Sequence, residues 1–345
     1  MPIAHRPLRL AALTALASLA LVRPSAAQDV PTPGDDDGGF NRGGRTAFQF
    51  LKIGVGARQA ALGEASVALV RDASSAFWNP AGISGIERYA ASLSYTAWLG
   101  GTRYSGAAAG ARFEGIGTFA VAIAALDYGD IPEAVVSDPD GDGDARTGGT
   151  FSGGDFMAGV SYAREFTDRL ALGVGVKYLH ESLWEHGAGT VAFDVGTNYD
   201  VGYNGIRLAM AAQNLGGAVQ FLADSLTDRT EGYDLPLVFR VGVSGNVLGP
   251  DAFVGVGGGT HRLVCAIEAI NTNDFSERLH LGAEYTFNEL FSVRGGYRVN
   301  YAEGNWSLGA GLSPTISGVQ MRFDYAYVGY EFLDAPHRFT VSFAY

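Results

Sequence analysis

The stretch RLALGVGVKYL, residues 169–179, alternates between two kinds of side chain at every step. One set is apolar: Leu170, Leu172, Val174, Val176 and Tyr178. The other set is small or charged: Arg169, Ala171, Gly173, Gly175 and Lys177. Because successive side chains of a β-strand point to opposite faces, this period of two predicts a strand with one apolar face.

The same alternation recurs in stretches that begin at Leu279, Phe291, Val319 and Arg338. In a soluble β-sandwich the polar face meets water and is rich in Lys, Glu and Thr. Here the second face is mainly Gly, Ala and Ser with sparse charges of both signs, which suits a packed or narrow lumen. For these inward charges, salt bridges in the lumen that hold a plug or rigidify the wall are the favoured interpretation, and a polar pathway is the alternative: Lys177, Asp194, Arg207, Arg240, Glu268, Glu284, Arg294, Arg298, Arg322 and Asp324. The pattern therefore predicts an all-β protein, a transmembrane antiparallel β-barrel whose apolar face meets lipid.

Composition agrees with a membrane barrel and excludes several other classes. The chain has 345 residues, of which 47% are hydrophobic and only 17% charged, so it lacks both the charge of a disordered chain and that of an ordinary soluble surface. Its formal net charge of −12 argues against nucleic-acid binding. A single cysteine, Cys265, permits no intrachain disulfide.

Counting alternating segments predicts fourteen strands, an even number typical of bacterial barrels. We place them at residues 88–97, 103–113, 116–127, 154–165, 169–181, 189–200, 205–214, 235–246, 261–271, 277–287, 290–299, 305–312, 318–328 and 336–345. Short links fall at one end and longer links at the other, as expected for periplasmic turns and outer loops. The link at 247–260 is an exception, because it is long on the periplasmic side.

The first residues have the pattern of a cleaved signal peptide, predicted at 1–27. Basic His5, Arg6 and Arg9 precede an apolar run, and small residues flank a cleavage site after Ala27. The alternative is a membrane anchor, but the run is shorter than the roughly 20 residues that span a bilayer. Residues 28–44 are rich in Pro, Gly and Asp and predict a flexible linker.

Residues 45–87 do not alternate and are predicted to form a partly helical N-terminal plug (or hatch) inside the barrel, which itself occupies 88–345. The stretch 57–71 is Ala-rich with apolar positions near helical spacing. Asp72 is positioned to cap a short helix that follows it. Asn79, Pro80, Ala81 and Gly82 predict a turn into the first strand.

Several stretches of the chain resemble the PorV/PorQ family, which is itself similar to FadL-type outer-membrane barrels. The resemblance is carried by the pattern DAS-x-x-x-x-NPAG, which includes Asp72, Asn79, Pro80, Ala81 and Gly82, and by the runs that begin at Val160, Leu235, Ser276 and His337. It implies a fourteen-stranded FadL-like barrel exported to the outer membrane. It also implies a non-enzymatic role in type IX secretion, through translocon binding or through shuttling of cargo with C-terminal signals to the cell surface.

Three function classes remain open from the sequence. The first is the secretion component, with secretion-system proteins, C-terminal-signal cargo and outer-membrane lipid as partners. The second is FadL-like transport of hydrophobic small molecules, and the third is a plain structural or soluble β protein. The terminal aromatic strand, which ends at Tyr345, resembles the signal read by barrel assembly machinery; the alternative is that an aromatic residue ends this strand without such a role.

No residues indicate catalysis or a cofactor. The chain has no Gly-x-Ser-x-Gly motif. Alternate carboxylates at Asp138, Asp140, Asp142 and Asp144 resemble a calcium loop, but the Gly and Glu that an EF-hand requires are replaced by Ala145 and Phe151. A solvated acidic loop is the favoured interpretation, and calcium binding is the alternative.

Overall fold

Fourteen antiparallel strands form a closed barrel in the computed structural model, which describes residues 46–134, 146–184, 186–220, 232–255 and 260–345. The strands are β1 (Tyr89–Ala97), β2 (Arg103–Phe113), β3 (Gly117–Asp127), β4 (Gly153–Glu165), β5 (Leu170–Leu183), β6 (His186–Asp200), β7 (Arg207–Leu215), β8 (Val238–Gly249), β9 (His261–Thr272), β10 (Arg278–Phe287), β11 (Phe291–Val299), β12 (Trp306–Leu312), β13 (Val319–Gly329) and β14 (His337–Ala344). Each strand pairs with the next along the chain, and β14 pairs with β1 to close the cylinder. The predicted fold class, a fourteen-stranded barrel, is confirmed.

The outer face of the barrel is apolar over most of its circumference. Side chains that the alternation assigned to the apolar face are exposed on the cylinder, among them Val174, Val293 and Phe339. Apolar side chains of other strands are exposed in the same way: Leu93, Val121, Phe193 and Leu308. Their neighbours in sequence point inward and are buried. An exposed apolar surface of this extent has no stable place in water, so the barrel is a membrane protein.

Links between strands define the two ends of the barrel. At the end that we assign as periplasmic, β2–β3, β4–β5 and β10–β11 are joined by turns of three or four residues. At the outer end, β3–β4 includes a hairpin of Ile131–Ala134 with Arg146–Phe151, and β7–β8 includes one of Val219–Gln220 with Gly232–Tyr233. Thr315–Ile316 extends the β12–β13 link by pairing with β13.

The β5–β6 link is shorter than predicted, and the long link after β8 has a structure that the sequence did not indicate. The segment 182–188 was expected to be an outer loop, but β5 continues to Leu183 and β6 begins at His186, because the two strands stay paired beyond the predicted limit. The long periplasmic link after β8 folds back, and Val254–Gly255 pairs in parallel with the end of β8. The ring of Phe253 in this link packs edge-on against Tyr203 in the β6–β7 link.

Short helices precede the barrel. They are the 3₁₀ helices Gln49–Lys52, Ala73–Phe77 and Pro80–Gly85 and the α-helix Ala57–Ala61, and a further 3₁₀ turn, Leu99–Gly101, joins β1 to β2. Helical structure was expected over 57–71, and beyond Ala61 this expectation is wrong. Gly63 and Glu64 adopt positive φ angles of 61° and 64°, which end the helix.

In the described part of the chain, no helix combines the length and the apolar character needed to cross a membrane.

Candidate functional site

Residues 46–86, called here the plug segment, run through the lumen from its outer end to its periplasmic end. At the outer end Thr46 forms a parallel bridge with Asp234, in the link between β7 and β8. At the periplasmic end Arg112, next to the β2–β3 turn, donates to the carbonyl of Ser84 over 3.4 Å. Most side chains of the plug segment are buried, so it fills the lumen instead of lining it.

A continuous chain of ion pairs runs from the plug segment along the inner side of the barrel wall and back to the plug segment. Successive members alternate in sign and lie 2.5 to 2.8 Å apart: Arg58, Glu284, Arg294, Asp324, Arg322 and Asp72. Arg58 and Asp72 belong to the plug segment, and the other four belong to β10, β11 and β13. We call this set the charge chain. Because it contains three cations and three anions, every buried charge in it is compensated.

A second polar contact fixes the middle of the plug segment to the neighbouring strands β8 and β9. Glu268 on β9 is 1% exposed and accepts hydrogen bonds from the backbone N–H groups of Ser66 and Val67, at 2.7 and 2.8 Å. Its other oxygen pairs with Arg240 on β8 at 2.7 Å. The Arg240 guanidinium stacks over the ring of Trp78, 4.9 Å from its centroid.

Glu64 supplies a third anchor. Its carboxylate lies 3.6 Å from Arg298 and 3.9 Å from Arg338, both of which are buried wall residues. Burial alone would raise the pKa of Glu64, but the two guanidinium groups hold that pKa below its ordinary value. The plug segment therefore brings a negative charge to two arginines that would otherwise be buried without an acid.

Inward charges assigned from the alternation are all paired. Each of the ten has a partner of opposite sign within 4.0 Å: Lys177, Asp194, Arg207, Arg240, Glu268, Glu284, Arg294, Arg298, Arg322 and Asp324. Lumenal salt bridging was the favoured interpretation of these residues, and the geometry agrees with it. The sequence did not identify the individual partners, three of which belong to the plug segment: Arg58, Glu64 and Asp72.

Residues of the DAS-x-x-x-x-NPAG pattern shape the lower plug segment. Asp72 accepts a hydrogen bond from the backbone N–H of Ser74, as the capping prediction requires, while its second oxygen binds Arg322. Asn79 accepts from the N–H of Ala81 and donates to the carbonyl of Thr197 on β6. Pro80 occupies the first turn of the helix that Asn79 caps, where its missing N–H is tolerated.

Glycine on the inner wall lets the plug backbone approach closely. A Cβ on Gly296 would lie 1.9 Å from the backbone nitrogen of Gly63, and one on Gly173 would lie 2.2 Å from that of Ala81. Any larger residue at either position requires the plug segment to move. Small inward residues therefore mark where the plug touches the wall.

A cavity lies at each end of the lumen. The periplasmic cavity has a volume of about 380 Å³ and is lined partly by Arg58, Arg71 and Arg322. The outer cavity has a volume of about 420 Å³ and lies between the start of the plug segment and the ends of β3 to β5. Its walls are largely aromatic and aliphatic: Phe48, Phe50, Ile53, Trp98, Leu126 and Tyr128. Two acids, Asp155 and Glu181, also line it.

The sequence offered one set of candidate metal ligands. Asp138, Asp140, Asp142 and Asp144 lie outside the described residues, so their calcium role stays a prediction. Within the described ranges, no group of three or more His, Cys, Asp or Glu side chains is arranged to hold a metal ion. Cys265 is partly buried and unpaired on β9.

Sequence comparison identifies a family for the first half of the barrel. Residues 40–207 match the model of the type IX secretion system protein PorV. Over that range the chain is similar to PorV. The resemblance found in the sequence is thereby confirmed, and with the apolar outer wall it places the barrel in the outer membrane. No curated protein matches the chain in sequence.

Solved structures share the fold of this barrel at low identity. The toluene transporter TbuX of Ralstonia pickettii is 14% identical with a TM-score of 0.57, covering 84% of this chain and 97% of its own. The toluene transporter TodX of Pseudomonas putida is 12% identical with a TM-score of 0.56, covering 84% and 98%. The monoaromatic hydrocarbon channel CymD is 12% identical with a TM-score of 0.53, covering 86% and 97%. At such identities the likeness concerns the fold alone.

Proposed function

We propose that this barrel is a non-enzymatic component of type IX protein secretion, which binds the translocon or carries cargo with C-terminal signals to the cell surface. The match to PorV over residues 40–207 carries the proposal. The filled lumen supports it, because a barrel closed by ion pairs at several depths offers its loops and outer wall, instead of a pore, to other proteins.

The proposal extends to the biogenesis of the protein. A signal peptide at 1–27 directs export, and a flexible linker at 28–44 precedes the plug segment. The terminal strand β14, with Phe339, Val341 and Phe343 on its lipid-facing side, presents an aromatic signal to barrel assembly machinery. Replacing Phe343 by Ser should then lower the amount of assembled barrel, whereas Ser342→Ala, on the inner face, should leave it unchanged.

Deletion of the gene in its source organism tests the secretion role. We expect proteins with C-terminal signals to accumulate in the periplasm and to disappear from the cell surface. Complementation with the full chain should restore both. Pull-down from solubilised membranes should recover translocon or attachment proteins. Unchanged secretion and surface attachment in the deletion strain would refute the proposal.

The second candidate function is transport of hydrophobic small molecules, and the outer cavity is the observation that favours it. Its apolar walls and its volume of about 420 Å³ suit a small hydrophobic molecule. The fold is also that of the toluene transporters TbuX and TodX. Uptake of labelled toluene into cells with and without the barrel distinguishes this function from the first. Equal uptake rates would count against transport.

A further inference from the structure

Asp155 and Glu181 in the outer cavity are arranged unlike the other buried acids of the barrel. They lie directly opposite each other on β4 and β5, and both side chains face the lumen. Two like charges in direct cross-strand register repel each other. Such an arrangement is destabilising unless something of opposite charge comes between them or one of them takes up a proton.

Among the buried acids of the described residues, Asp155 is the one without a Lys or Arg partner. It is 4% exposed, and one oxygen accepts a hydrogen bond from the Tyr128 hydroxyl at 2.8 Å. The other oxygen, Oδ1, is buried and has no hydrogen-bond partner. All other buried acids in the described part of the chain have a Lys or Arg nitrogen within 4.0 Å: Glu64, Asp194, Glu268, Asp274, Glu284 and Asp324.

Glu181 is also without a basic partner among the described residues. One of its oxygens accepts the backbone N–H of Phe48 at 2.7 Å, and this contact ties the start of the plug segment to the cavity wall. The guanidinium of Arg338 lies over the ring of Trp98, which lines this cavity, at 5.3 Å from the ring centroid. Arg338 is engaged elsewhere, with Glu64 and the carbonyl of Gly54.

We propose that the outer cavity binds an organic cation, an ammonium or guanidinium group carried on an apolar body. The two carboxylates provide the negative charge, and the orphaned Oδ1 of Asp155 is free to accept an N–H hydrogen bond. The faces of Phe48, Phe50 and Trp98 accommodate the apolar body and attract the cation through their ring electrons.

A neutral or an anionic ligand does not satisfy the same site. A hydrocarbon suits the volume and the apolar walls of the cavity but leaves both acids uncompensated, which is costly, so cation binding here and hydrocarbon transport through this cavity are competing hypotheses. A carboxylate adds a third negative charge. The inference is independent of the secretion role, because the same cation is either a free amine or a Lys or Arg side chain of a bound protein segment.

Calorimetry on the purified full-length barrel in detergent tests the proposal with three ligands of one shape. Benzylamine is the cation, toluene the neutral analogue and benzoate the anion. We expect benzylamine to bind one to one, and toluene and benzoate to bind at least about tenfold more weakly, the loss expected for one charge-assisted contact. Toluene binding as tightly as benzylamine, or no benzylamine binding at all, would overturn the proposal.

Substitutions locate the binding in this cavity. Asp155→Asn and Glu181→Gln should each weaken benzylamine binding by about tenfold or more. Asp127→Asn, at the same end of the barrel but exposed to solvent, should not change it. Glu181 is only half-buried, so its variant keeps the test decisive if Asp155→Asn folds poorly. Wild-type affinity in a folded Glu181→Gln variant contradicts the assignment.

A peptide pair then identifies the source of the cation. A short peptide with one lysine between apolar residues is compared with the same peptide carrying norleucine in place of lysine. Binding of the lysine peptide that is lost on Glu181→Gln supports a protein side chain as the occupant. Binding of benzylamine alone supports a free amine. Equal binding of both peptides, unaffected by Glu181→Gln, argues against recognition of a cation.

Discussion

Asp324→Asn should release the plug segment, because Asp324 is the central acid of the charge chain. Its two oxygens bind Arg294 at 2.7 Å and Arg322 at 2.8 Å, and its side chain is inaccessible to solvent. Loss of one partner of a buried ion pair costs about 3–5 kcal/mol. Because Asn retains some hydrogen bonding, we take the lower figure of about 3 kcal/mol, which corresponds to an open population about 150-fold larger.

Thiol labelling of the plug segment measures that population. Ser75 is fully buried and its hydroxyl has no hydrogen-bond partner, so Ser75→Cys introduces a reporter at little cost. The native thiol is removed by Cys265→Ser. When opening and closing are fast relative to labelling, the labelling rate follows the open population. We therefore expect the rate at residue 75 to rise about 150-fold in Asp324→Asn.

Two further variants make the result interpretable. Asp127→Asn breaks an exposed ion pair with Arg103, which is 4.0 Å long and mostly solvated, so the labelling rate should stay the same. Asp72→Asn breaks the same charge chain from the plug side and leaves the wall intact. Heat-modifiable migration on a gel verifies that each barrel is folded. Labelling of folded Asp324→Asn within twofold of the parent would refute the view that ion pairs hold the plug.

Three other perturbations test the lumen and the wall. Burial raises the pKa of Asp72, but Arg322 lowers it by more, so this pKa lies below its ordinary value of about 4. The ion pair of Asp72 therefore stabilises the plug segment fully above that pH and loses this effect as the pH falls through the lowered pKa. Planar-bilayer conductance should stay at baseline from pH 7 to about 4 and appear only in stronger acid. Gly296→Val should overpack the plug contact by about 1–3 kcal/mol and speed labelling at Ser75→Cys, whereas Gly295→Val, whose Cβ meets nothing closer than 3.8 Å, should not. Val293→Arg places a charge on the lipid face and should lower the free energy of unfolding in lipid vesicles by about 2–4 kcal/mol, while Val293→Leu should be neutral.

The barrel could be predicted from the sequence because its strands repeat one local rule. Alternation fixes which side of a strand faces lipid, and the contrast between Val174 and Lys177 on β5 is visible in the letters alone. Strand ends were less predictable, since pairing beyond the membrane depends on the partner strand. β5 and β6 remain paired as far as Leu183 and His186 for this reason.

The ion pairs between the plug segment and the wall could not be predicted, because they join positions more than 200 residues apart. Nothing in the sequence near Arg58 indicates that its partner is Glu284. Only the presence of charged residues at inward positions indicated that they must have partners. The acid pair of the outer cavity was missed as well, although Asp155 stands at an inward position of an alternating strand, where an acid requires compensation.

Opening the lumen by removing the whole plug segment would expose uncompensated charge at several depths of the wall. Glu284 would lose Arg58, Arg298 and Arg338 would lose Glu64, and Glu268 would lose two backbone donors. Each such loss costs several kcal/mol unless water replaces the contact. A neutral substrate has no charge with which to offset these losses. We therefore expect the plug to stay in place while the barrel works. Proteins then act at the loops and the outer wall, and small ligands at the two cavities that the plug leaves open.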